Sequence, residues 1–482
     1  MSDLLDQLEP RPLWAYFLEL SRIPRGSKQE AAAAAWVADQ GRALGCQVER
    51  DAVGNVLIRK PASPGREGRP AVALQCHVDM VCEKNEGTPH DFSKDPIRVR
   101  RDGDVLRATG TTLGADNGIG VAAGLAVLAA RDLVHPAVEL LVTIDEETGL
   151  TGANGLAGGW LRAATLLNLD SEEEGELTIG CAGGMDTLVR RPVFTGAPPA
   201  GARPLRLKVA GLKGGHSGID IAAGRGNSLR LLGQVLDATL GAHGLAVASI
   251  GGGNKRNAIP REASAVVWCP EGQVAPFTAE VVRLSAELRN ALGAFDPNVA
   301  VTVEPGTAAA AWSPEDARAA VALLLAGPHG VEAMSPDIPG LVQTSTNMGL
   351  AETSEEAFEV CFLTRSSIDG SKRLLARRVA ATAEALGFEV SHSNGYPGWK
   401  PEPGAGVVKL VDAVHRELFG KPMVVKAIHA GLECGLIGEK YPGMEMASIG
   451  PSMWDVHTPD EHVSVPSVAN FWTLLTGVLA RL

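Results

Sequence analysis

Five short polar clusters interrupt the apolar stretches of this chain, and their side chains are of the kinds that hold divalent cations and move protons. The first is Gln75-Cys76-His77-Val78-Asp79-Met80. Residues two apart on extended backbone point to one face, so His77 and Asp79 stand side by side and Cys76 faces away. A carboxylate behind an imidazole fixes the ring tautomer and strengthens it as a metal ligand. The second runs from Thr111 to Gly118 and sets Asp116 among glycines, where a carboxylate can approach a cation closely. The third, Asp145-Glu146-Glu147-Thr148-Gly149, brings three acids together at the end of an apolar run, which is unfavourable without a cation, though a solvated acidic loop has the same composition. The fourth is Asn168-Leu169-Asp170-Ser171-Glu172, and the fifth is His457-Thr458-Pro459-Asp460-Glu461. Each cluster alone also fits an ordinary structural role. Together they offer two imidazoles and several carboxylates, a set suited to zinc, with manganese or cobalt as alternatives. The acids exceed what one ion needs, which favours two metals.

Such residues need a scaffold that ends several strands at one rim. Strand patterns are expected at 53–58, 71–75, 138–144 and 165–169. Helical patterns are expected at 13–21, 28–44 (stopped by Gly45) and 119–130. Strands alternating with helices imply an α/β domain with a mostly parallel sheet flanked by helices. Four of the clusters follow predicted strands, where open α/β sheets bind ligands. After the glycine-rich stretch 180–184 the pattern changes. Strands at 205–209 and 265–269 mix with long helices at 228–240 and 372–386, as in an inserted α+β domain that could hold two similar halves. A linker at 394–399 returns the chain to the first domain, which adds a helix at 406–419, a strand at 446–449 and a last helix from about residue 467. The expected division is 1–186 with 394–482 for the first domain and 187–393 for the insertion.

With 482 residues the chain exceeds one compact core. Its 44 basic and 56 acidic residues leave a net charge of −12, which repels phosphate backbones and argues against nucleic acid. No polybasic anchor, secretory leader or apolar run of spanning length is present in the sequence, so no membrane partner is expected. Seven cysteines without a C-x-x-C pair fit a reduced, cytoplasmic compartment. Three motifs imitate other chemistries. Residues 118–123 match G-x-G-x-x-A, but no strand leads into them as a dinucleotide site requires. Gly215-His216-Ser217-Gly218-Ile219 lacks the last glycine of a nucleophile elbow. Gly251-Gly252-Gly253-Asn254-Lys255 lacks the G-K-[ST] ending of a phosphate loop.

The order of motifs resembles the dinuclear-zinc metallopeptidase family of dipeptidases, aminoacylases and acetylornithine deacetylases, nearest to its aminoacyl-histidine dipeptidase group. The resemblance covers nearly the whole chain. It is carried by Thr88-Pro89-His90-Asp91-Phe92, Asp95-Pro96-Ile97, residues 112–120, residues 167–173, Gly211-Leu212-Lys213-Gly214-Gly215-His216-Ser217-Gly218, and residues 256–262. It implies a two-domain α/β metallopeptidase whose inserted α+β domain is a lid. It implies two zinc ions. His77 would bind one ion, Asp116 would bridge both, Glu147 would bind one ion and Asp170 the other, and His457 would complete the second site. Asp79 would orient His77, and a cis bond would precede Asn117. Glu146 would be the general base toward a water activated between the ions. His216 would stabilise the oxyanion, and Asn257 and Arg365 would hold the substrate carboxylate. Cys76 departs from the glycine that relatives commonly have before the first histidine.

The expected activity is hydrolysis of dipeptides, Xaa-His and beta-alanyl-histidine included, with Glu433 a candidate for the substrate amine. A tripeptidase, an N-acyl amino acid deacylase and a non-catalytic metal- or peptide-binding protein are the rivals. The partner implied is a small peptide, with a homodimer through the lid suggested by relatives.

Overall fold

The computed structural model describes residues 2–482 and divides them into two compact units. The first runs to Gly180 and takes in Pro401–Ala427 and Leu432–Leu482. The second is Cys181–Lys400 with Ile428–Gly431. The expected insertion, 187–393, lies inside the second unit. Strands Gly183–Pro192 and Glu389–Tyr396 pair antiparallel and carry both ends of the insertion past those limits.

The first unit is built on an eight-stranded sheet with a parallel centre. Val72–His77 lies between Val138–Thr143 and Thr165–Asn168, and Glu445–Ser448 follows the latter, all in parallel. The flanks are antiparallel. Val138–Thr143 pairs with Val56–Lys60, which pairs with Gln47–Arg50, and Glu445–Ser448 pairs with Glu176–Cys181. Every residue of Val72–His77 and Val138–Thr143 is buried. Both faces of these strands are covered, which explains their mostly apolar runs, with Gln75 and Glu139 as buried polar exceptions. The run expected as a strand at 53–58 splits. Asp51 accepts the N–H groups of Val53, Gly54 and Asn55 at 3.1, 2.8 and 2.8 Å, which closes a turn and delays the strand to Val56. The hairpin partner Gln47–Arg50 is too polar to announce itself.

Helix Ala31–Ala43 ends at Gly45, which takes φ +75°. Gly45 donates to the Arg42 carbonyl at 2.9 Å and Cys46 to that of Gly41 at 3.0 Å, the paired bonds of a Schellman end. Helix Arg11–Leu20 packs on Ala115–Ala129, and Gly406–Phe419 packs on Val465–Leu479.

The second unit is a wholly antiparallel sheet covered by four helices, Ser228–Leu240, Val274–Leu292, Pro314–Ala326 and Asp369–Ala385. The sheet has nine strands, and a run of four meets a group of five through the single pair Gly252 and Ala351. One core cluster, with Leu207, Leu232, Val247, Phe277, Phe358 and Phe362, serves both halves. No disulfide occurs among the described residues, and no described helix is long and apolar enough to cross a membrane.

Candidate active site

Parallel strands end on the same side, and three of the polar clusters sit at such ends. His77 closes its strand, Asp145-Glu146-Glu147 follow Val138–Thr143, and Asp170 follows Thr165–Asn168. Asp116 opens helix Ala115–Ala129, and the peptide bond to Asn117 is cis, as the family resemblance implies. His457 lies between the short strands Met453–Trp454 and His462–Ser464, held in a small sheet with Val105–Arg107 and Arg100–Asp102. Its φ of +65° is an uncommon conformation for a residue with a side chain.

These five residues converge. His77 Nε2 is 3.1 Å from Asp116 Oδ1 and 3.4 Å from Asp170 Oδ1. His457 Nε2 is 3.1 Å from Asp116 Oδ2 and 3.0 Å from Glu147 Oε2. Each oxygen of Asp116 therefore faces a different imidazole, and Asp170 and Glu147 each complete one side. Three donor groups form in which all ligating atoms lie within 4.8 Å: His77 with Asp116 and Asp170, Asp116 with Glu147 and His457, and His77 with Glu146 and Glu147.

Asp79 stands behind His77, 3.3 Å from Nδ1. It also accepts the N–H groups of Glu146 and Glu147 at 3.0 and 3.3 Å and the Ser27 hydroxyl at 2.7 Å. One carboxylate thus sets both the His77 ring and the turn that presents the acids. Against burial, these contacts hold Asp79 down at about 2. The Cys76 thiol turns toward the Leu141 carbonyl at 4.0 Å, and burial pushes its pKa up, which leaves it an unreactive neighbour.

The cluster carries excess negative charge. Burial pulls His77 down, yet Asp170, Asp116 and Asp79 hold it well above its ordinary value. Contacts with Asp116 and Glu147 raise His457 to about 11. Burial, with Asp116 and Glu147 nearby, pushes Asp170 up to about 7. The imidazoles take up positive charge that the carboxylates call for. Buried Glu147 Oε1 and Asp170 Oδ1 have no hydrogen-bond donor. Both facts fit a donor set made for cations, which displace those protons on binding. Beside it, burial and the charges of Asp170, Glu433 and Glu147 push Glu146 well above the carboxylate range, against the pull of His77.

Glu433 is buried and not a loop acid. Its Oε2 accepts from Gln75 Nε2 and the Thr143 hydroxyl, both at 2.6 Å, and its Oε1 has no partner. Burial raises it to about 7.

The second unit gathers the remaining three residues. His216 and Ala258 are partners in a short ladder, and the carbonyl of Asn257 accepts from Ser217 at 2.9 Å. Arg365 Nη2 is 3.4 Å from His216 Nε2, and its other nitrogens reach the Ser217 and Tyr396 hydroxyls at 3.4 and 3.2 Å. His216 Nδ1 accepts from Gly218 and Ile219 at 3.2 and 3.1 Å, so a neutral ring carries its proton on Nε2. Burial and Arg365 lower its pKa and favour that neutral form.

Ser27, Gln75, Thr143, Ser217 and Tyr396 were not among the expected site residues. Neither was Glu172, which burial and the Asp116 and Glu147 charges lift to about 7. Gln75 and Thr143 sit in apolar strand runs that could have marked them, whereas the local sequence of the others resembles that of solvated polar residues. The glycines of the G-x-G-x-x-A imitation also find their reason. A Cβ at Gly118 would come within 2.8 Å of Arg25 Nη2, and one at Gly120 within 2.8 Å of the Leu169 carbonyl. Close packing of protein on protein, and not a phosphate, requires them.

The chain matches the profile of Peptidase family M20/M25/M40 over residues 73–481. It is 42% identical over 479 residues to cytosol non-specific dipeptidase of Escherichia coli, covering 99% of both chains. Its structure superimposes on the crystal structure of aminoacylhistidine dipeptidase from Vibrio alginolyticus with a TM-score of 0.93 at 41% identity, covering 100% of this chain and 99% of the other. Aminopeptidase PepT from Bacillus cereus shares the fold at 16% identity and a TM-score of 0.58, with 98% of this chain and 99% of that one covered. By its sequence match and its full-length relatives, this chain belongs to peptidase family M20/M25/M40.

Proposed function

We propose that the chain is a two-metal dipeptidase that hydrolyses dipeptides, Xaa-His and beta-alanyl-histidine among them. The observation that carries this reading is Asp116, whose two oxygens each face one imidazole at 3.1 Å. His77, Asp116 and Asp170 are the donors on one side, and Asp116, Glu147 and His457 those on the other. Zinc suits this mixture, with manganese or cobalt as alternatives. When bound, such ions acidify water toward a pKa of about 7 and polarise a carbonyl.

Glu146 is the general base. Its backbone N–H is held by Asp79, and a carboxylate oxygen lies within 4.8 Å of donor atoms of His77 and Glu147. It takes a proton from the attacking water and returns it to the leaving amine, and burial brings its pKa closer to the working pH. His216, neutral with its proton on Nε2, is a donor for an oxyanion. Arg365, braced by Ser217 and Tyr396, binds the substrate carboxylate with Asn257. Two donors 3.4 Å apart, His216 Nε2 and Arg365 Nη2, are matched to a shared anionic acceptor. Glu433, with one buried oxygen lacking a donor, takes the substrate amine.

One relative is described as non-specific and the other as an aminoacylhistidine enzyme. We therefore read a broad dipeptidase that includes Xaa-His. The E. coli relative is described as cytosolic, and we carry that location over. Metal analysis of purified protein, with Xaa-His and other dipeptides, tripeptides and N-acetyl amino acids assayed with and without chelator, tests the reading. Two ions per chain and chelator-sensitive dipeptide cleavage are expected. Full cleavage by metal-stripped protein, or cleavage of only tripeptides or N-acetyl amino acids, overturns it.

A further inference from the structure

We propose that Arg25 and Glu461 are positioning residues that hold Asp116 in register between the two imidazoles. The inference rests on the two-metal reading of that site. Neither side chain touches a ligating atom of the donor set, yet together they join three segments that carry donors.

Glu461 accepts four consecutive backbone N–H groups. Its Oε2 takes those of Leu113 and Gly114 at 2.7 and 2.9 Å, and its Oε1 takes those of Ala115 and Asp116 at 2.7 and 3.4 Å. Arg25 works on carbonyls. Its Nη1 donates to Val78 and Asp79 at 2.9 and 3.1 Å, and its Nη2 donates to Gly114 at 2.5 Å. Gly114 is thereby held at its N–H by Glu461 and at its carbonyl by Arg25. Arg25 also fixes the segment just after His77, and its own carbonyl accepts from Met80 at 3.0 Å. Glu461 is four residues beyond His457, and its N–H closes that loop on the Thr458 carbonyl at 3.1 Å.

The arrangement is costly to build. Arg25 and Glu461 are 1% and 2% exposed, and taking ions out of water is unfavourable unless their bonds are well made. Room for the guanidinium depends on missing side chains. A Cβ at Gly114 would lie 2.4 Å from Arg25 Nη2, and Gly114 sits at φ +68°, where glycine is favoured. A bridging carboxylate tolerates little displacement, because moving it toward one ion moves it away from the other. Groups outside the ligand set that orient ligands commonly change metal affinity by about 10–100-fold when replaced.

The test is titration of metal-free protein with Co2+, read by visible absorption and chelator competition, with circular dichroism and thermal unfolding of the metal-free form alongside. Wild-type protein is expected to take up two ions. Glu461→Gln preserves shape but loses the charge and one acceptor oxygen. It is expected to stay folded, bind Co2+ about 10–100-fold more weakly and show an altered cobalt spectrum. Arg25→Lys, which cannot span the three carbonyls, is expected to do the same. Wild-type affinity and spectrum in either folded variant overturns the proposal. Should Glu461→Gln fail to fold, Arg25→Lys decides by the same two outcomes. Failure of both to fold also overturns it, because the pair would then serve the fold itself. Uptake of fewer than two ions by the wild type counts instead against the two-metal reading.

Discussion

Replacing Glu146 with Gln tests the proposed general base apart from the proposed metal donors. The substitution keeps the side-chain length, and the backbone N–H still donates to Asp79 Oδ1 at 3.0 Å. His77, Asp116, Glu147, Asp170 and His457 keep their places, so two ions should still bind. Loss of a positioned base removes about 10²–10⁴ in rate. That corresponds to roughly 3–5 kcal/mol of transition-state stabilisation. The same change removes a carboxyl group crowded by Asp170, Glu433 and Glu147, so the metal-free protein should melt no lower than wild type. Steady-state kinetics on a dipeptide, metal content and calorimetry of the metal-free form read all three quantities. A kcat within tenfold of wild type, with two ions bound, refutes the base assignment. Because Glu146 also falls within 4.8 Å of His77 and Glu147 donor atoms, a fall in metal content would mark it instead as a ligand.

Further expectations follow from single contacts. Asp79→Asn removes the charge behind His77 and an acceptor for the acid-bearing turn, and should weaken metal binding by about 10–100-fold in a chelator competition. Arg365→Lys loses the fork that reaches Ser217 and Tyr396, so KM for dipeptides should rise more than kcat falls, with an equal loss in both counting against carboxylate binding. Burial lowers His429 to about 3, while unfolded histidine titrates near 6.5. Between those values the unfolded chain holds more protons, so stability from this residue is present above about pH 6.5 and drains as pH falls toward 3. Urea unfolding of the metal-free protein at pH 6.5 and 5 should show wild type losing about 2 kcal/mol more than His429→Gln, and equal slopes would refute this. Gly114→Ala forces a side chain into φ +68° and against Arg25, and should lower the thermal midpoint and metal affinity together.

Much of the scaffold was legible because local pattern and tertiary environment agree. Ser228–Leu240 and Gly406–Phe419 carry amphipathic patterns with clear ends and fall where periodicity places them. The buried strand Val138–Thr143 announces itself through a mostly apolar run in which Glu139 is the one charged residue. The strands around His457 are only two and three residues long, and the hairpin strand Gln47–Arg50 is polar and largely uncovered, so no periodic signal marks them. The parallel character is confined to the centre of the first sheet, which hydrophobicity alone does not separate from its antiparallel flanks.

The sequence by itself determined which residues could do chemistry: His77, Asp116, Glu146, Glu147, Asp170 and His457 stand out as polar side chains in apolar or glycine-rich surroundings. Only the tertiary structure decided which oxygen of Asp116 faces which imidazole, that Glu433 is buried on Gln75 and Thr143, and that Arg25 and Glu461 grip the turn beneath Asp116. The reason is physical. Donor type is a property of each residue, whereas bridging and bracing depend on distances between segments hundreds of residues apart, and those are set by packing.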